Sequence, residues 1–332
     1  MWRLLLVVSS AIIIENVDAE LKFVFATARG MSHTPCDYPG GPTITKISEN
    51  SSVLTPAGKK EATEIGKLLS ERYKKDLKVG QWDPNRNYWT LASATRRSQE
   101  GALNIGSGLE GKSEAEWSQQ KGMKTLFSGF YDYAKFYMKS ECPNFIKQQM
   151  SAVGNLLKNS VSQYKAAFDK LKTEYNIEAM KGPQNVWLAY ETLSLQSKLK
   201  QAPQWFSSLE NNLRSFSEKY LWTALTSNKD LRKMSGGRMI NDILNDIENI
   251  KQGKGQPGAP GKTENKLSVL TVPQAILAAF VSAFAPEGTK IEKKDLDPST
   301  LYPGQGALHV IELHQDKSDW SVKVCKKSSF IA

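Results

Sequence analysis

LKFVFATARGMSHTP (residues 21–35) decides the fold. An apolar run rich in Phe and Val stops at Thr27, and a polar loop carrying Arg29, Gly30 and His33 follows it. A buried strand that ends abruptly in such a loop is how an open α/β sheet presents residues to a ligand, at the carboxyl end of its strands.

Downstream, LTPAGKKEATEIGKLLSERYKKDL (54–77) supplies Thr55 as N-cap and Pro56 as first helical residue, with Ala62, Ile65, Leu69 and Tyr73 at helical spacing. YWTLASAT (88–95) reads as an aromatic strand, Arg96-Arg97 follow it, and RSQEGALNI reads as a second helix. Strand and helix alternate in this way in an α/β fold, with a parallel sheet covered on its faces. Between about 110 and 235 the pattern changes to helix after helix: FSGFYDYAKFYM (127–138), VGNLLKNSVSQYKAAFDKLKTEY (153–175) and LENNLRSFSEKYLWTAL (209–225). GGRMINDILNDIENIKQ (236–252) is one more amphipathic helix, and GKGQPGAPGK (253–262) is a surface loop. KLSVLTV (266–272) is a buried strand, AILAAFVSAF (275–284) a helix, and ALHVIEL (307–313) and WSVKVC (320–325) a closing pair of strands. The expected division is a signal peptide at 1–19, the first part of an α/β core at 20–109, a helical lid insertion at 110–235, and the second part of the core at 236–332.

The opening MWRLLLVVSSAIIIENVDA has Arg3, an apolar stretch from Leu4 to Ile14 and small Ala19 after Asp18, the pattern of a secretory signal. Glu15 and Asp18 cut the apolar stretch short of a membrane span. A secreted, extracellular protein is expected. Loss of one base and two acids with that segment raises the formal charge from +10 to +11. The lysines are spread along the chain in short pairs, with no basic arm of the kind that tracks nucleic acid, so small anions or surface polyanions are the expected partners of this charge. Three cysteines, Cys36, Cys142 and Cys325, in an oxidising compartment imply one disulfide and one remaining thiol. Asn50-Ser51-Ser52 is a glycosylation sequon. His309 and His314, five apart on a strand, face opposite sides, and no ligand cluster for a metal or motif for a cofactor is present in the sequence.

These blocks, in this order, resemble the histidine acid phosphatase family over nearly the whole mature length. The family's loop motif, R-H-G-x-R-x-P, lies over Arg29-Gly30-Met31-Ser32-His33-Thr34-Pro35; LTPAG matches its L-T-x-x-G helix, and GGRMINDILNDI its Gly-Gly helix. The resemblance implies a sheet of mainly parallel strands flanked by helices, with a helical lid. In that family the motif histidine attacks phosphorus while arginines hold the phosphoryl oxygens. Gly30 stands at the nucleophile's position, and loss of a nucleophile costs on the order of a thousand- to a million-fold in rate. The family's His-Asp pair, which supplies a phosphate ligand and the leaving-group acid, aligns with Pro273-Gln274, neither of which can donate that proton. Arg29 and Arg97 are retained, and His33 replaces the second motif arginine. His33 is either a relocated nucleophile or a polar loop residue.

The resemblance extends to the secreted, non-catalytic acid phosphatase-like proteins of flea saliva, which scavenge biogenic amines and leukotrienes released by a host. It implies a pseudoenzyme that binds such mediators, serotonin among them. Arg29 and Arg97 suit a carboxylate, or else act as structural ion-pair partners. An amine needs a carboxylate and aromatic walls. The lid offers Phe136 with Lys139, and Trp187, Tyr190 and Glu191 in VWLAYETL; Asp132 is a second acid, and Gln274 completes the candidate set with His33. Trp187 reads equally as core and Glu191 as a solvated helix residue. Two family segments joined by a disulfide match SECPNF and DWSVKVC, which implies a Cys142–Cys325 bond and leaves Cys36 unpaired.

Overall fold

The computed structural model describes residues 19–35, 53–84, 86–93, 95–112, 142–254, 265–284 and 302–327. Among the described residues five strands, β1 (Glu20–Arg29), β2 (Tyr88–Ala92), β3 (Leu267–Val272), β4 (Leu308–Asp316) and β5 (Asp319–Lys327), form one sheet in the order β2-β3-β1-β4-β5. β1 and β2 both pair with β3 in parallel; β4 runs antiparallel to β1 and to β5. The register sets Arg29 beside Val272, and Ala92 beside Thr271. The carboxyl ends of the three parallel strands therefore lie side by side, followed by the loop at 30–35, by Ser93 and the helix that starts at Arg96, and by Pro273-Gln274.

Alternation along β1 explains the two layers. Val24, Ala26 and Ala28 enter one buried cluster, with Ile65 and Leu69 of α1 (Pro56–Tyr73) and Ile105 and Leu109 of α2 (Arg96–Glu110). Phe23 and Phe25 enter the opposite cluster, with Met239, Ile243, Ile276 and Phe280. A strand buried on both faces cannot show the polar alternation of a half-exposed one, so β1 reads as one continuous apolar run. A bulge between Leu21 and Phe23 returns Leu21 to the α1 side.

α1 forms as expected: the Thr55 hydroxyl accepts from the Gly58 amide at 3.0 Å and Pro56 sits in the first turn. Gly58 is required there, because a Cβ at that position would lie 1.9 Å from the Ser32 carbonyl oxygen. That oxygen also accepts from Thr55, and the Ser32 amide donates to Glu61 at 3.0 Å, so the end of α1 braces the loop after β1.

The helical region contains α3 (Pro143–Ser160), α4 (Lys165–Tyr175), α5 (Pro183–Lys198) and α6 (Phe206–Thr226), followed by α7 (Lys229–Lys251) and, after β3, α8 (Gln274–Ser282). A third cluster of Phe145, Tyr164, Phe168, Leu193, Phe216 and Tyr220 joins these helices to Ala275 and Tyr302. The single helix expected over 153–175 is broken at 161–164. Tyr164 is drawn into the cluster against Phe168 and Phe216, with its hydroxyl 3.0 Å from Ser215 Oγ, and α4 restarts from it. The signal segment, Asn50, Cys36 and the helix expected over 127–138 lie outside the described residues, and with them Asp132, Phe136 and Lys139.

The disulfide expected between Cys142 and Cys325 is not formed. Cys142 Sγ packs 3.9 Å from Met234 Sδ in the helical cluster, whereas Cys325 Sγ, on β5, lies 3.8 Å from Glu312 Oε1 against the α1 layer. The two thiols belong to different layers, and each is free.

Candidate ligand-binding site

Arg29 is the last residue of β1, and its guanidinium is almost fully enclosed. It donates to Glu191 Oε2 at 2.6 Å and to the Pro303 carbonyl oxygen. Glu191, on α5, accepts the Tyr302 hydroxyl on its other oxygen. The Tyr302 hydroxyl is held well above its ordinary value by burial and by the Glu191 charge, so it remains a donor at any physiological pH. Two residues that the sequence offers to opposite ligands, Arg29 to an anion and Glu191 to an amine, thus satisfy one another. Arg29 takes its structural role, and Glu191 is not a solvated helix residue.

Gln274 opens α8 beside them. Its amide nitrogen donates to Pro303 O at 3.2 Å, and its carbonyl oxygen accepts from Trp187 Nε1 at 3.1 Å. Both ends of the side chain are occupied in a clamp between the helical region and the chain entering β4. Trp187 is half-buried and stacks on Tyr220, with ring centroids 6.3 Å apart. It lies one turn before Glu191 on the same face of α5. Tyr190 is turned into the helical cluster, against Phe206 and Tyr302, and lines that core instead of standing beside Trp187.

The loop after β1 completes the arrangement. The Gly30 amide donates to Val272 O at 3.1 Å, and the Arg97 side chain runs past Gly30, its Cδ 3.8 Å from where a Cβ would stand. His33 is buried, with Nδ1 2.8 Å from Thr34 O. Desolvation, then the Arg97 charge, push its pKa down to about 3, opposed by the Thr34 hydrogen bond and aided by Arg29 and Lys198. His33 is therefore neutral at physiological pH and supplies no cation in place of the motif arginine.

Residues 302–305 were not singled out in the sequence. The Pro-Gly of LYPGQG marks a turn, but nothing local shows that Tyr302, Pro303 and Gln305 answer Glu191, Arg29 with Gln274, and Lys198 in succession. Among the described residues no group of three His, Cys, Asp or Glu side chains is placed to hold a metal ion, and no helix is long and apolar enough to cross a membrane.

Comparison with known proteins places the chain in a class. Residues 13–324 match the histidine phosphatase superfamily (branch 2), and the chain belongs to that family. Two relatives from the flea Xenopsylla cheopis, acid phosphatase-like proteins XcAP-3 and XcAP-1, are each 38 % identical over 97 % of this chain, covering 85 % and 87 % of their own lengths. Among solved structures, Hafnia alvei phytase in complex with tartrate superposes with a TM-score of 0.63 at 12 % identity, over 94 % of this chain and 85 % of that one. Klebsiella phytase gives 0.58 at 14 %, over 92 % and 83 %. These neighbours share the fold of this chain, an α/β sheet flanked by helices.

Proposed function

We propose that this acid phosphatase-like protein is a secreted pseudoenzyme that binds and sequesters small host mediators, biogenic amines such as serotonin or leukotrienes, and does not hydrolyse phosphomonoesters. The supporting observation is the chemistry at the strand ends. The residue after Arg29 has no side chain, and the residue after Pro273 is an amide with both ends hydrogen-bonded. Nothing at either place can attack phosphorus or protonate a leaving group. What supports recognition is that Trp187 offers a ring face, Glu191 keeps 22 % of its side chain exposed beside its bonds to Arg29 and Tyr302, and Arg97 runs beside Gly30. The likeness to proteins named acid phosphatase-like supports the same reading. Calorimetric titration with serotonin, noradrenaline and a cysteinyl leukotriene tests it: heat of binding from at least one is expected, and none from all three defeats it.

One observation favours a residual acid phosphatase. The Thr34 carbonyl holds a proton on His33 Nδ1, which leaves the Nε2 lone pair unprotonated even in acid. If His33 does the chemistry, hydrolysis of a nitrophenyl phosphate at acidic pH disappears in His33→Ala.

A further inference from the structure

Lys198 ends α5, two turns after Glu191 on the same face, and its ammonium donates to Gln305 Oε1 at 2.6 Å. Gln305 belongs to the same short segment that Tyr302 and Pro303 tie to Glu191, Arg29 and Gln274. Lys198 is therefore tied to the segment that holds Arg29, Glu191 and Gln274. Its charge acts on groups of three elements: it is repelled by Arg29 of β1 and attracted by Glu61 of α1 and Glu191 of α5, and it in turn disfavours the protonated form of His33. Its hydrogen-bond partner is neutral, and no carboxylate among the described residues forms an ion pair with it. Arg29 is spent on Glu191, and His33 carries no charge. Lys198 is thus an exposed cation beside these residues whose only hydrogen-bond partner among the described residues is the neutral Gln305.

We propose that Lys198 is the anion-recognition point at this end of the site, taking a carboxylate or similar oxyanion of the ligand, while the Arg29–Glu191–Tyr302 set is closed on itself. This rests on the reading that the cleft holds a small ligand, and it adds a residue that sets which ligands are accepted. A carboxylate would replace the Gln305 oxygen on the ammonium, exchanging a neutral acceptor for a charged one, the stronger kind of hydrogen bond.

The test compares wild type, Lys198→Gln and Lys198→Arg, each shown to be folded by circular dichroism, in titrations with tartrate, a leukotriene and serotonin. Lys198→Gln is expected to lose about ten- to a hundredfold in affinity for the anions and none for serotonin, and Lys198→Arg to recover it. Burial and the Arg29 charge lower the Lys198 pKa, so wild-type anion affinity falls as pH rises through that depressed value. In Lys198→Arg it persists to higher pH. Serotonin binding without anion binding by the wild type, or anion affinity unchanged in Lys198→Gln, overturns the assignment of Lys198 alone. Absence of binding by all three probes defeats the proposed function instead.

Discussion

Arg29 and Glu191, 162 residues apart, are bonded at 2.6 Å across the carboxyl end of the sheet, and the pair unites the core strand with the helical region. Their side chains are 8 % and 22 % exposed, so each is the other's main compensation for lost water. Glu191→Gln removes the charge and leaves Arg29 enclosed. The expected cost is about 3 kcal/mol, the lower end for a broken buried pair because Glu191 keeps some solvent. Urea unfolding with an unchanged m-value measures it. The same variant frees Arg29, so tartrate should bind more tightly and serotonin more weakly.

Trp187 links the ligand reading to the fold. Trp187→Phe retains a ring against Tyr220 but removes the donor to Gln274. Loss of one such hydrogen bond should cost about 1 kcal/mol of stability and little amine affinity. Trp187→Ala removes the ring face as well and should weaken serotonin binding about tenfold or more, read by calorimetry.

A second charged centre lies away from the cleft and governs stability in acid. Glu312, buried on β4, meets Tyr73 Oη at 2.8 Å, Arg72 at 3.1 Å and His314 Nε2 at 3.1 Å. Burial opposes its charge, but the hydrogen bonds from His314, Tyr73 and Arg72 outweigh burial and hold its pKa at about 2. A carboxyl depressed in the folded state stabilises fully above its unfolded value of 4.5, and that contribution is lost as pH falls toward about 2. The loss should be on the order of 3 kcal/mol in wild type, and Glu312→Gln should flatten that limb of the stability–pH curve.

Gly30 tests whether the loop has room for what it lacks. A Cβ there meets only Arg97 side-chain atoms, the nearest at 3.8 Å, an ordinary contact. Gly30→Ala is expected to keep wild-type stability within about 0.5 kcal/mol. Gly30→His should fold and yet leave phosphomonoester turnover absent, because the amide of Gln274 still cannot protonate a leaving group.

The sheet and its covering helices were legible because their signals are local. β1 and β3 are unbroken apolar runs, and Thr55-Pro56 announces α1. The break between α3 and α4 was not, since no glycine or proline marks Val161–Tyr164; it comes from Tyr164 finding Phe168 and Phe216 in the tertiary core. The pairings at the strand ends were not legible. Arg29, Glu191, Trp187 and Gln274 lie together in the structure, but residue type alone cannot say that Arg29 binds Glu191 or that Trp187 binds Gln274. Lys198 looked like any other lysine of a basic chain until the turn at Gln305 was set beneath it.

The most direct measurement is hydrolysis of nitrophenyl phosphate at acidic pH by the purified protein, run beside Arg97→Ala. Because the loop holds Gly30 where an attacking side chain would stand, the account predicts no release of nitrophenol above buffer from either. Turnover by the wild type that Arg97→Ala abolishes would contradict it.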